Sequence, residues 1–155
     1  MDQSIVIAAA SATDLEPAPI VPGWILSGKP EAQSKIMAKS KDGTSFIMVW
    51  ECTPGRFNWH YSEDETVVLV AGEVFIANGN GPERRLGAGD LAFFPAGSSA
   101  TWRITDRVRK VAVLRHALPY PLGFGLRAWS KLMRIAGLKG NSPLLVPALA
   151  DPTGA

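Results

Sequence analysis

The sequence predicts an all-β protein: a single jelly-roll β-barrel with an N-terminal arm and one C-terminal amphipathic helix. Three observations carry that expectation. From Trp24 onward, short stretches rich in Val, Ile, Phe, Thr and Trp recur at the spacing of strands, about every eight to twelve residues. The segments between them, "KDGT", "NGNG", "GAGD" and "PAGS", supply glycines for positive φ or a proline that presets a turn. After Pro119 the apolar spacing changes from period two to the 3.6-residue period of a helix.

Residues 1–23 read as the arm. The stretch "ATDLEPAPIVPG" carries three prolines, which remove backbone donors and favour extended chain over helix. Residues 24–117 read as the barrel, with strands expected at 34–40, 45–53, 57–61, 67–71, 73–77, 83–86, 91–95, 100–105 and 109–117. Many short strands with regular turns indicate a sandwich or barrel, and a jelly roll accommodates this number. Residues 118–155 hold the helix and tail. The helix is expected at 125–136, with Leu126, Trp129, Leu132, Met133 and Ala136 on one side and Arg127, Lys131 and Arg134 on the other. Gly137 and Gly140 stop it, and a proline-rich tail follows that reads as an extended arm or a frayed end.

Composition narrows the function classes. A chain of 155 residues suits one domain with one hydrophobic core. The net charge is +2, and the excess lies in the tail rather than in a basic stripe mixed with aromatics, which argues against a nucleic-acid partner. No apolar run reaches the roughly 18 residues of a membrane span. Cys52 is the only cysteine, so no intrachain disulfide can form. The N-terminal "MDQSIVIAAASA" has an acidic residue where a signal peptide carries positive charge, and a cytoplasmic protein is expected.

Two stretches resemble known signatures. "GDLAFFPAG" (89–97) has the form G-D-x(4)-P-x-G, the second cupin motif, and Glu65 followed by Gly72 matches the end of the first. The preceding "WECTPGRFNWHYSEDE" resembles the (S)-ureidoglycine aminohydrolase-type family of cupins, and the likeness runs from about Gly28 to Arg115. It implies a cupin barrel and a substrate among ureido or amino acid derivatives. Metal-binding cupins place two histidines, a carboxylate and a later histidine on inward-facing strand positions so that they converge on one ion. The matching positions here are Trp59, Tyr61, Glu65 and Ala100, so three of four ligands are missing and neither metal nor cofactor is expected. A shifted frame would recruit His60 with Glu65. Strand alternation turns His60 away if Trp59 and Tyr61 face inward, which favours a solvent-facing or interface histidine. His116 has no partner pattern.

The same alternation sets Trp102 beside Ala100 on the inside, giving an interior of Trp59, Tyr61 and Trp102 around a lone carboxylate, Glu65. Such a set describes an aromatic-walled ligand pocket and equally a filled core. A buried Glu65 needs a partner. The resemblance points to Lys110, in the "VRK" of the last strand, while Arg103 or Arg56 are alternatives. Glu65 and Lys110 are thus the candidate catalytic residues, with Trp59, Tyr61, Trp102 and Arg103 the candidate substrate-binding ones. Glu51, Glu63 and Asp64 read as surface or turn groups, Cys52 as a buried structural thiol, and Asp90 as a turn residue bonding local amides.

Three functions are open at this point. The first is a metal-independent cupin that binds or transforms a small molecule. The second is a non-catalytic interaction protein whose barrel has closed over its aromatics. The third is a divergent metal-dependent hydrolase acting on a ureido or amino acid derivative. A homodimer is expected, built through the arm and the C-terminal helix, and a basic amphipathic helix of three charges gives only weak attachment to a membrane surface.

Overall fold

The structure is a computed structural model and describes residues 4–118 and 120–135. The described residues fall into two compact units that part between Ala117 and Leu118. In the first unit, eleven strands form two antiparallel sheets: β1 (Glu16–Pro17), β2 (Ile25–Gly28), β3 (Ala32–Lys39), β4 (Ser45–Cys52), β5 (Gly55–His60), β6 (Asp64–Ala71), β7 (Glu73–Ala77), β8 (Arg84–Gly87), β9 (Leu91–Phe94), β10 (Ser99–Ile104) and β11 (Val108–Arg115). One sheet runs in the order β1-β3-β4-β11-β6-β9 and the other β2-β5-β10-β7-β8. Apart from the consecutive pairs β3–β4 and β7–β8, neighbours in these orders are not successive strands, the crossed connectivity of a jelly roll.

The nine expected strands are present, with ends shifted by up to three residues. Two more, β1 and β2, lie in and just after the proline-rich arm. Extended chain was expected at β1; its pairing with β3, Glu16 opposite Ser34, depends on a neighbour distant in sequence. The remainder of the arm is tied down by ions and backbone. Asp14 pairs with Lys35, and the guanidinium of Arg109 donates to the carbonyls of Ala10 and Ala12 at 3.1 and 2.7 Å.

Alternation builds the core. Buried residues fall at every second position of β10 (Ala100, Trp102, Ile104), β11 (Val108, Lys110, Ala112) and β6 (Glu65, Val67, Leu69), so the two sheets face each other through these side chains. The turns hold the register. Gly72 joins β6 to β7 at φ +76°, and a Cβ there would meet the Arg107 carbonyl oxygen at 2.0 Å, so only glycine fits. Asp90 accepts a bond from the Gly87 amide at 2.7 Å, the turn role expected of it.

The second unit contains helix α1 (Tyr120–Ile135). It begins five residues before the expected start, because Pro121 is compatible with the first turn, where its missing N–H has no partner to lose, and Gly123 and Gly125 are tolerated. The apolar stripe of Leu122, Leu126, Trp129 and Leu132 runs along it as the spacing predicts. Ala136, the glycine stop and the tail lie outside the described residues. Among the described residues, no helix is long and apolar enough to cross a membrane.

Candidate functional site

Among the described residues, one ion pair is buried in the barrel interior. Lys110 on β11 donates from Nζ to Glu65 Oε1 on β6 at 2.6 Å, and each side chain is only 6% exposed. The two residues are not cross-strand partners. Lys110 sits opposite Leu69 and Glu65 opposite Leu114, so the side chains reach toward each other along the inner face of the sheet. A bulge between Arg109 and Lys110 breaks the ladder at that point.

Tryptophans enclose the ammonium. Nζ lies 4.8 Å from the ring centres of both Trp50 and Trp102 and 6.0 Å from that of Trp59, distances at which a cation is attracted by the π face. Trp50 is directly opposite Lys110 in the sheet, and Trp102 projects from the facing sheet. The rings brace one another, Trp50 edge-on to Trp102 at 5.9 Å and Phe57 stacked on Trp102 at 6.3 Å. Trp102 Nε1 donates to the Tyr61 hydroxyl at 2.8 Å, so both buried polar groups are satisfied. Tyr61 in turn stacks on Phe94 with centroids 4.4 Å apart.

This surrounding sets the titration of its neighbours. Burial pushes the Tyr61 phenol well above its ordinary range, and the negative charge of Glu65 adds to the rise against the opposing Trp102 hydrogen bond. Burial also pushes the Cys52 thiol up to about 12, with Lys110 pulling weakly the other way, so Cys52 is the inert structural thiol that its position predicts.

Glu65 reaches space as well as its partner. It lines a cavity of about 180 Å³ together with Trp24, Trp59, His60, Tyr61, Glu63 and Leu114. Of the candidate residues, Glu65, Trp59 and Tyr61 line this cavity, and Lys110 and Trp102 join them through the Glu65 ion pair and the Tyr61 hydrogen bond without lining it. Arg103 is not among them. It follows Trp102 by one position and so lies on the outer face, where it bonds Glu83 at 2.7 to 3.2 Å and stacks over Phe75; Arg56, its cross-strand partner, is on the same side. Neither arginine partners Glu65.

Other assignments change once the chain is folded. His60 is exposed as alternation predicts, its Nδ1 2.7 Å from Ser99 Oγ. His116, for which the sequence offers no partner, has its Nδ1 2.6 Å from Glu63 Oε1. Glu51 is not a bare surface group: it holds Arg107 and Arg109 at 2.7 Å each, with a side chain 14% exposed. Sequence reasoning missed Trp50 and Phe94 as site residues. Both sit at alternating positions of their strands, yet only the pairings Trp50 with Lys110 and Phe94 with Glu65 direct them to this place.

The donor set does not fit a transition metal. Among the described residues no group of three or more His, Cys, Asp or Glu converges. The inward positions that would carry imidazoles are occupied by Trp59, Tyr61 and Ala100, and the charge of Glu65 is met by an ammonium instead.

The crossed sheets, the two glycine-bearing signatures and the inward carboxylate define a cupin-fold protein. Residues 39–112, just under half of the chain, match the model of the EutQ-like cupin domain family. A protein of unknown function from Pseudomonas syringae pv. tomato, of the DUF861 family, superposes with a TM-score of 0.62 at 27% identity, covering 68% of this chain and 46% of that one. The EutQ protein of Clostridium difficile aligns with a TM-score of 0.50 at 21% identity over 57% of this chain and 64% of its own. A putative ethanolamine utilization protein Q from Salmonella typhimurium gives 0.50 at 19% identity over 68% and 96%. The chain therefore spans about half the length of the Pseudomonas protein, and the likeness to the two EutQ proteins is one of fold. No curated protein matches it.

Proposed function

We propose that this chain is a metal-independent cupin that binds a small, N–H-bearing molecule of the ureido or amino acid class at Glu65. The observation that supports it is a carboxylate bonded to Lys110 at 2.6 Å and set on the wall of a 180 Å³ cavity beside Trp59 and Tyr61. A carboxylate accepts hydrogen bonds only, so its complement is a ligand rich in N–H donors. An indole wall suits the flat face of a ureido group, and the cavity admits only a few heavy atoms. The resemblance to ureidoglycine aminohydrolase-type cupins favours the same substrate class. His60 and Glu63 on the cavity wall are further groups able to exchange a proton with a bound ligand.

The test uses N-carbamoylglycine as probe. Binding to the folded chain raises the unfolding midpoint by mass action, and Glu65→Gln, compared with its own ligand-free midpoint, abolishes that rise. Ammonia release from the same mixture would extend the reading from binding to hydrolysis. Absence of any ligand-dependent rise in the unsubstituted protein at about 10 mM probe would end it.

A further inference from the structure

A second, larger cavity lies on the far side of the Tyr61–Phe94 stack. Tyr61 lines the cavity at Glu65, while Phe94 lines one of about 430 Å³ with Ile76, Asn78, Arg84, Leu86 and Ala92. It sits where the barrel is open, between β8, the last strand of one sheet, and β9, the last strand of the other. Its size falls within the common range for small-molecule sites, about 300 to 1,000 Å³.

The register explains the one charge inside. Arg84 is opposite Ile76, and Ile76 is opposite Trp102, so all three share the inner face of the sheet. Arg85, one position on, points the other way and bonds Glu73 at 2.6 Å. Four other outward arginines of the barrel are paired in the same manner, Arg103 with Glu83, Arg107 and Arg109 with Glu51, and Arg115 with Asp64, while Arg56 lies in the field of Glu83 without an ion pair of its own among the described residues. Among the described residues Arg84 has no carboxylate within ion-pair distance, and no acidic residue lines its cavity. Apart from Arg84 the lining is neutral, with apolar walls of Ile76, Leu86 and Phe94.

From this geometry we infer a second binding site, specific for a small monocarboxylate with an apolar or aromatic body. The carboxylate meets the Arg84 guanidinium, whose planar donors match it in a bidentate manner, and the body packs on Ile76, Leu86 and Phe94. The site is independent of the reading given for Glu65, because the two cavities have no lining residue in common.

Isothermal titration of the full chain with 3-phenylpropionate tests it, with 3-phenylpropanamide as the uncharged counterpart. The acid is expected to bind, and the amide to bind at least about tenfold more weakly, the loss expected for one charge-assisted hydrogen bond. Arg84→Gln weakens the acid by a similar factor, whereas Arg85→Gln, on the outward neighbour of Arg84, leaves its affinity unchanged. Equal affinity for acid and amide, full retention in Arg84→Gln, an equal loss in Arg85→Gln, or no binding of the acid at about 10 mM would each overturn the assignment. Arg84 is exposed and bonded to no carboxylate, so its substitution is expected to keep the fold, checked by an unchanged ligand-free midpoint.

Discussion

Arg109 and Lys110 are consecutive residues of one strand, each paired with a glutamate, and they live in different solvents. Arg109 points out of the barrel, where Glu51 and the carbonyls of Ala10 and Ala12 receive it at the edge of bulk water. Lys110 points in, toward Glu65 and three indoles. A rotation of one residue along the strand thus separates a pair that fastens an arm from a pair that fills a core. The inner charges have lost their hydration and depend wholly on each other, whereas the outer ones retain water as an alternative partner.

The largest expected effect breaks the inner pair. Lys110→Met leaves Glu65 buried without its cation and costs about 3–5 kcal/mol in urea unfolding, and Glu65→Leu costs as much by stranding the ammonium. The double substitution recovers most of that loss, because removing both charges also removes both desolvation penalties. Additive losses in the cycle would mean that the two charges are not coupled, and the contrast with Arg109 would vanish.

The same inner face governs alkaline stability. The Cys52 thiol is held up to about 12 in the folded chain against 9.0 ordinarily, so the folded state binds that proton more tightly. Its contribution is fully present below pH 9, and it is lost as pH rises toward 12, on the order of 1.4 kcal/mol per pH unit. Chemical denaturation across that window reads it. A Cys52→Ala variant flattens the slope, and a thiol reagent labels Cys52 only after unfolding.

A smaller inner effect is Trp102→Phe. The ring volume is largely kept, but the Tyr61 hydroxyl loses its indole donor inside the barrel, at about 1–3 kcal/mol. Outside, Arg109→Gln is expected to cost about 1–2 kcal/mol, since water replaces much of what Glu51 loses. Its clearer signature is faster proteolysis within residues 4–15, which the guanidinium tethers. The smallest effect is that of Arg103→Gln: on the outer face, with its exposed pair to Glu83 worth little in water, it is expected to change stability less than any of the substitutions above and to leave N-carbamoylglycine binding unchanged. A loss of binding there would put Arg103 back at the site.

Alternation along a strand is a local property of the chain, and what depends on it was legible. Trp59 and Tyr61 facing in, His60 facing out, Trp102 beside Ala100, and Asp90 in its turn all follow from period two or from turn chemistry. The same rule, applied to Trp102, already turns Arg103 outward, so its place among the ligand residues was an inconsistency that the fold removes. Strand pairing across long stretches of sequence is different, because no local signal states which strand lies beside which. Hence Trp50 and Phe94 were not recognised at the site, and the His116 pairing with Glu63 and the burial of Glu51 came unannounced. The strand status of β1 and β2 belongs with them, since extended chain becomes a strand only when a neighbour offers its ladder.

From the order of residues alone come the barrel, its turns, the missing imidazoles and the amphipathic character of the helix, because each is written in near-neighbour chemistry. Only the folded chain decides that the ammonium of Lys110 meets Glu65 among three tryptophans, that Arg103 is spent on Glu83, and that Arg84 looks into a neutral cavity. Those outcomes depend on which sheet faces which and on distances across the interior. Such distances exist only after residues remote in the chain have been brought within a few ångströms by the burial of the faces between them.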